Sequence, residues 1–586
     1  MTMMMRRLGA PLGAAFFILH SSFLISCSDW DDHYQADSQV TATQQSTLWQ
    51  NINSQGNLSE FASLLKRVGY DEVLSQSQTY TVWAPLNGTF DVSALSSQSD
   101  AKLLREFVQN HIARSNYPAS GTVGEDVYMI NEKLMRFDGA GSYAMGGVAL
   151  ETANISSING VLHTLSQRIP FRANIYESLN SEQFALDSVS TFFHAYDVKK
   201  LDEERSVQGP MLNGEITYLD SIFEETNTLF QSFRAYIQRE DSNYTMILPT
   251  NEAWSRARKT IRQFYKYVPS FEFMENTSTG EDKKVTTVTL KDAAFLTDSM
   301  TTMSLISGLI FNNNLYDNGK LAGLQDGQQL QCDSLCTTSR DKLFTADAAQ
   351  LFEGTQRVDK SNGLAFVTDD SLRMHTWTIW NPELRQEAEN SLLVAWSNNV
   401  AGSPSPVEVT EVKQNPAVSG KVSSNYYLEA QPSASNANPE VDFYLRNVRS
   451  TEYAIYAVIV PAHIINPSRE QKPNRMVITM GYNNEAGKNK ELRMKNPVDS
   501  TNYFVNDPTR IDSLFLGYFT FPMAYMGTGS ASQSYYPYIR IRSSVTNALS
   551  AQYDRTLRID KLILRPKSLD DYLKSNPGYK YDNGEY

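Results

Sequence analysis

The chain has 586 residues, 41% of them hydrophobic, 20% charged and 11% aromatic, so at roughly 100–200 residues per domain about three to five domains with sizeable cores are expected. A formal net charge of −13 excludes nucleic acid as a partner, because phosphates must be met by Lys and Arg that displace counterions. No basic run or basic amphipathic helix offsets that balance.

The first element is apolar. Arg6 and Arg7 precede the run Leu8 to Ile25, which ends in LISCSDW. A charged start, an apolar stretch and a small residue before a cysteine predict a cleaved export signal over 1–26. A transmembrane anchor is the competing reading, since the stretch approaches the ~20 residues needed to span a bilayer. Leu24-Ile25-Ser26-Cys27 resembles the lipobox of bacterial lipoproteins. That resemblance implies that Cys27 becomes the first mature residue and carries acyl chains such as palmitate. Residues 27–46 are then a tether. Asp29, Asp31 and Asp32, with no Lys or Arg before Lys66, resemble the surface-export signals of certain Gram-negative lipoproteins. This implies a lipid-anchored outer-membrane protein facing the medium; a plain solvated tether is the alternative.

Beyond the tether one skeleton occurs twice, as YTVWAPLNGTF (Tyr80–Phe90) and as YTMILPTNEAW (Tyr244–Trp254). Tyr80 to Ala84 and Tyr244 to Leu248 are β-branched and aromatic, as strands prefer. Pro85 and Pro249 end them, since proline cannot donate to a ladder. Asn87 and Asn251 are then placed to cap the helices that follow, and Phe90 and Trp254 to drop onto a core. Each skeleton is followed by an Asn-Gly box, SSINGVLHTL (Ser156–Leu165) and DKSNGLAFVT (Asp359–Thr368), whose Asn-Gly suits the positive φ of a tight turn. A lead-in helix, NLSEFASLLKRVGYDEVL, puts Leu58, Phe61, Leu65 and Val68 on one face, and KLLREFVQNHI predicts a middle helix.

Thr81-Val82-Trp83-Ala84-Pro85-Leu86-Asn87-Gly88-Thr89-Phe90 and Ile158-Asn159-Gly160-Val161-Leu162-His163 resemble the two characteristic boxes of the fasciclin family. The resemblance covers 47–170 as one fasciclin-like domain. It extends to 171–370 as a second, with degraded boxes and an insertion near 271–300. It implies compact α/β folds that mediate adhesion or partner binding, with no catalytic site common to the family. The duplication also bears on the histidines. His163 stands where Phe366 follows the second box, and His111 corresponds by pattern to Asn314. Neither is therefore needed as a ligand or base by both halves, and each is expected to be a satisfied, semi-buried group.

From 371 to 586 short β-rich runs alternate with Asn, Pro, Gly and Ser turns, which predicts an all-β sandwich. Tyr453 to Val460 is apolar on both alternations and should be a central strand. The closing run is expected to alternate Ile559, Lys561 and Ile563 against Asp560, Leu562 and Leu564. ELRQEAEN and RIDKLIL weakly resemble carbohydrate-binding jelly-roll modules. That implies a structural calcium near Glu387 and Glu389, with solvated carboxylates as the alternative. Tyr525, Tyr535, Tyr536 and Tyr538 are candidates for an aromatic platform on which sugar faces stack; sandwich core and rim is the alternative. The fold class is thus multidomain: two fasciclin-like α/β domains followed by a jelly-roll-like β-sandwich.

Cys332 and Cys336, in CDSLC, are the remaining cysteines. An oxidising envelope permits a bridge between them, and two thiols are equally compatible with the spacing. No catalytic residue is expected. The acidic runs Asp202-Glu203-Glu204, Glu224-Glu225 and Asp369-Asp370 do not place two acids across one cleft, and no nucleophile elbow, phosphate loop or His-Glu-x-x-His occurs. A non-enzymatic surface protein without a cofactor follows. Its expected partners are the outer membrane through its lipid, an outer-membrane transporter with a lipoprotein lid, and polysaccharide or host matrix. A glycan-acting envelope enzyme and a pure adhesion protein are the alternatives.

Overall fold

A computed structural model describes residues 45–581 apart from 213–214, 275–284, 291, 333, 341, 371, 410–417, 419, 527–536 and 580. The export signal, Cys27, Tyr535 and Tyr536 lie outside the described residues. The chain forms two compact units: residues up to Phe171 with Lys200–Glu224, and Arg172–Lys199 with Glu225–Tyr586. Among the described residues no helix is long and apolar enough to cross a membrane.

In the first unit Tyr80–Pro85 is a fully buried strand inside a seven-stranded sheet. It runs parallel to Gly160–Leu165, with Tyr80 opposite Gly160 and Pro85 opposite Leu165, and antiparallel to Ile112–Arg114. Its two faces serve two cores. Tyr80, Val82 and Ala84 join Phe61, Leu65, Phe107 and Leu162, while Trp83 joins Phe137, Met145 and Leu165. That double burial explains why both alternations of the strand are apolar. The lead-in helix Ser59–Arg67 presents Phe61, Leu64 and Leu65 to the first core. The middle helix is less regular than expected: one α turn at Asp100–Leu103 widens into a π turn at Leu104–Val108 and ends as 3₁₀ at His111. The Gln109 N–H closes the wide turn on the Leu104 carbonyl, and beyond it His111 Nδ1–H donates to the Phe107 carbonyl at 2.7 Å.

Residues 200–224, read in the sequence as part of the second domain, belong to the first unit. They form a hairpin of Val207–Leu212 and Glu215–Asp220. Val207 is buried in the core that contains Phe61. Tyr70 Oη donates to Asp220 Oδ2 at 2.7 Å, both side chains being buried. Burial raises the Asp220 carboxyl above the usual range.

The second unit opens with a four-stranded sheet in the order Ile310–Asn312, Tyr244–Pro249, Gly363–Thr368, Gln356–Lys360. Tyr244 stands opposite Gly363 in parallel and Asn312 in antiparallel register, as Tyr80 does to Gly160 and Arg114. His163 faces Trp83 where Phe366 faces Ile247, so that equivalence holds. His111, which precedes Ile112, matches Leu309 before Ile310 and not Asn314.

Two six-stranded antiparallel sheets complete the unit. One has the order Ser405–Glu408, Tyr426–Ala430, Leu557–Pro566, Glu452–Ile459, Asp512–Thr520, with Leu384–Glu387 paired to the third. The other runs Val394–Trp396, Glu440–Tyr444, Tyr538–Ser543, Arg475–Asn483, Asn489–Arg493, with Phe504–Val505 on the fourth. Both contribute to a single core that includes Phe443, Ile455, Ile478, Ile541 and Leu562. Glu452–Ile459 is central, flanked on both sides. The closing strand departs from plain alternation. Ile459 pairs with Ile559 but Ala457 with Leu562, a bulge that places Ile559, Leu562 and Leu564 all in the core. The insertion after the Tyr244 strand forms the hairpin Ser270–Met274 and Val285–Thr289. Phe271 is buried in the core of the two large sheets. Glu272 N–H donates to the Gly487 carbonyl at 2.7 Å, and its carboxylate pairs with Lys488 at 2.6 Å.

Candidate functional site

The duplicated corners are the first place to look for reactivity, and they use their polar groups internally. Asn87 Oδ1 accepts the Glu60 N–H at 3.0 Å, and Nδ2 donates to the Gly56 carbonyl and to Ser59 Oγ at 2.9 Å each. Asn251 Oδ1 accepts the Ser188 N–H at 2.8 Å, and Nδ2 donates to Asp187. Each asparagine therefore holds the N-terminus of the lead-in helix, Ser59–Arg67 or Asp187–His194. This corrects the expectation that each caps the helix after it. Asp91 does that for Val92–Ser96, and Asn251 is already the first residue of its helix.

The Asn-Gly boxes behave alike. Asn159 Oδ1 accepts the Leu48 N–H, and its amide donates to the Leu74 and Gln76 carbonyls. Asn362 repeats the pattern with the Ile175 N–H and the Ile237 and Arg239 carbonyls. A fixed carboxamide thus ties three backbone groups at each site, using both of its donors and one of its two acceptor lone pairs.

The histidines are equally occupied. His111 Nε2 accepts the Ile169 N–H at 2.9 Å while Nδ1–H donates to Phe107. His163 Nε2–H donates to the Tyr117 carbonyl at 2.9 Å, and Nδ1 accepts the Asn154 N–H at 3.3 Å. Both are fully buried, and burial lowers each to about 4, so they are neutral imidazoles in the native state.

Of the candidate tyrosines, the two described ones, Tyr525 and Tyr538, are not brought together. Tyr525 is in the core between the large sheets, its hydroxyl donating to Asn483 Oδ1 and accepting the Asn483 N–H at 2.9 Å each. Tyr538 lies on the opposite face of its sheet, buried beside Leu393, Ala395 and Tyr444. Its ring lies over Gly481, where an added Cβ would stand 2.2 Å from a ring carbon. Its hydroxyl is bonded to Glu491, and Arg540 beside it is held by Asp442 at 2.7 and 2.8 Å. Neither ring is open to stack on a sugar.

Glu387 and Glu389 do share a neighbourhood. Ser423 Oγ–H donates to Glu387 Oε1 and Ser423 N–H to Asp560 Oδ1. One oxygen of each glutamate is buried without a hydrogen-bond partner. Burial, with Glu387 and Glu389 nearby, pushes the Asp560 carboxyl up to about 7, and burial also raises Glu389. Among the described residues no group of three or more His, Cys, Asp or Glu is gathered to hold a metal. Cys332 and Cys336 are both buried thiols, Cys336 donating to the Thr337 carbonyl at 3.6 Å.

Residues 56–169 match the family model described as the fasciclin domain. None of the curated proteins compared matches the chain. Solved structures similar to it include a FAS1 domain pair from the insect cell adhesion molecule Fasciclin I, 12% identical over 55% of this chain and 99% of that chain, with a TM-score of 0.19. Another is the C-terminal family 22 carbohydrate-binding module of Clostridium thermocellum Xyn10B, 10% identical over 31% of this chain and 91% of that chain, TM-score 0.19. A third is a Paenibacillus xanthan lyase, 12% identical over 35% of this chain and 15% of that chain, TM-score 0.18. Likenesses this distant fix neither ligand nor activity.

Proposed function

We propose, from the premise that residues 56–169 are a fasciclin domain, that the chain is a non-enzymatic binding protein of the bacterial cell surface. In this reading 172–199 together with 225–370 is a second fasciclin-like domain, 371–586 a jelly-roll-like sandwich, and lipidated Cys27 the anchor in the outer membrane. The protein serves as a ligand-capturing accessory of an outer-membrane nutrient-uptake complex. The fasciclin domain carries the reading. In support, the asparagines of its two boxes and the histidine of the second, His163, bond inward, so those residues act as scaffold.

Full-length lipoprotein extracted from outer membranes in detergent tests this. It is expected to co-purify with a transporter and a lipoprotein lid, and to retain polysaccharide without generating reducing ends; Cys27→Ala should release it from the membrane. Reducing-end release abolished by one carboxylate substitution would make it a glycan-acting enzyme. Attachment to cells or matrix with no response to any glycan would make it a pure adhesion protein.

Calcium enters this reading as a structural ion. The orphaned oxygens of Glu387 and Glu389 are the hard acceptors that such a cation takes. Saturating calcium is then expected to stabilise the second unit by about 1–3 kcal/mol, and Glu387→Gln with Glu389→Gln to remove the effect. An unchanged melting temperature in calcium would dismiss the ion.

A further inference from the structure

We propose that a pocket in the second unit, between the loop at residues 324–329 and the end of the helix Thr345–Phe352, binds a short neutral oligosaccharide. The cavity measures about 670 Å³, within the roughly 300–1,000 Å³ typical of small-molecule sites. Four carboxamides line it, from Gln325, Gln328, Gln329 and Gln350. Gln328 Oε1 accepts the Gln325 N–H at 3.3 Å. Among the described residues the side-chain amides of Gln325, Gln329 and Gln350 have no hydrogen-bond partner. A carboxamide offers two donors and an acceptor on one flat group, which matches a hydroxyl that both gives and takes a hydrogen bond.

The charges of the pocket narrow the ligand further. No Lys or Arg lines it, so a phosphate, sulfate or uronate would meet two carboxylates and no cation. Those carboxylates are engaged already: Asp326 accepts the Arg357 N–H at 2.7 Å, and Glu353 pairs with Arg373 at 3.2 Å. The floor is apolar, made by Leu324 with Phe352 and Phe366, whose rings meet edge to face at 5.0 Å. Leu324, Phe352 and Phe366 are buried core side chains with no open ring face, so the carboxamides at the rim, which both donate and accept, are what would hold the hydroxyls of a pyranose.

This deepens the proposed function and rests on it, since it gives the binding protein a ligand class and a place for it. The experiment is calorimetric titration of the full chain with neutral hexaoses built from glucose, xylose or mannose, and with a charged uronate oligomer. The partners are the wild type and the double variant Gln329→Ala, Gln350→Ala. The expected result is binding of at least one neutral hexaose, weakened about tenfold or more in the double variant, with no binding of the uronate. Both glutamines are surface groups, so circular dichroism of the variant should match the wild type. Neutral-sugar binding that survives in the double variant overturns the pocket while leaving the surface-binding function standing. Uronate binding as tight as neutral binding overturns the ligand class. Silence across the panel overturns the inference, and the membrane co-purification then decides separately whether the binding function survives.

Discussion

A chain carrying Gly160→Ala is expected to lose the folded first unit while the second unit still unfolds cooperatively. Gly160 sits at φ 142°, and a Cβ there would stand 1.8 Å from the Tyr80 carbonyl oxygen. That atom belongs to the backbone of the central strand and cannot swing aside as a long side chain would. The parallel pairing of Tyr80–Pro85 with Gly160–Leu165 must open, and with it both cores that this strand separates. The cost exceeds about 4 kcal/mol, the range reserved for named structural failures, against a total of roughly 5–15 kcal/mol for a domain. Gly363→Ala should do the same to the second unit, because its Cβ would lie 1.9 Å from the Tyr244 carbonyl oxygen. Gly88→Ala is the control. Its φ is 72° but nothing lies within 4 Å of an added Cβ, so it should cost only the left-handed penalty of about 1–2 kcal/mol. Differential scanning calorimetry reads all three. A Gly160→Ala protein that keeps both transitions would show that the strand pairing is not what holds the first unit.

The two units should respond to acid in opposite directions between pH 7.5 and 5.5. In the first, His111 and His163 have native values of about 4 against about 6.5 unfolded. The unfolded state therefore binds more protons as pH falls through 6.5, and native stability declines by about 1 kcal/mol per histidine over that window. The upward shift of Asp220 offsets part of this loss. In the second unit the native Asp560 carboxyl is at about 7 against about 3.9 unfolded. There the native state takes up the proton first, so stability rises by about 1–2 kcal/mol as pH drops through 7. Raised Glu389 works in the same direction. The measurement is the pair of melting temperatures across the pH series. Asp560→Asn should raise the second transition at pH 7.5 and flatten its pH dependence. His163→Phe, which installs the residue found at Phe366, should flatten part of the first. If both transitions fall together in acid by equal amounts, the assignment of these groups is wrong.

How far the sequence reveals the fold depends on how local each cause is. The Tyr-Thr strands and their proline stops were legible because β-propensity and the proline break act within six residues. Burial of the central Glu452–Ile459 strand was legible for the same reason, from apolar residues on both alternations. The partner of Asn87 was not, since the amide that it caps lies 27 residues earlier in the chain, and for Asn251 the distance is 63. Asn-Gly was read as a turn signal; the glycine is needed also because another strand's carbonyl passes against it. The closing strand was read as plain alternation because a bulge changes which face each residue meets without leaving a mark in composition. Tyr525 and Tyr538 are close in sequence, yet the loop after Asp512–Thr520 carries Tyr525 into the core while the strand Tyr538–Ser543 turns Tyr538 to its outer face. The carboxamide pocket leaves no mark in the sequence because glutamines in a loop carry no motif, and only the fold sets them near Phe352 and Phe366.

The hairpin at 200–224 has a consequence for how the protein is made. A chain that emerges from its N-terminus cannot complete the first unit when Phe171 appears, because Tyr70 still lacks Asp220 and the first core still lacks Val207. The stretch 172–199 must be synthesised before those residues arrive. Each unit therefore waits, half-assembled, on sequence delivered after part of the other has already been produced, and a nascent polypeptide released before Asp220 carries an unfinished surface for chaperones to hold.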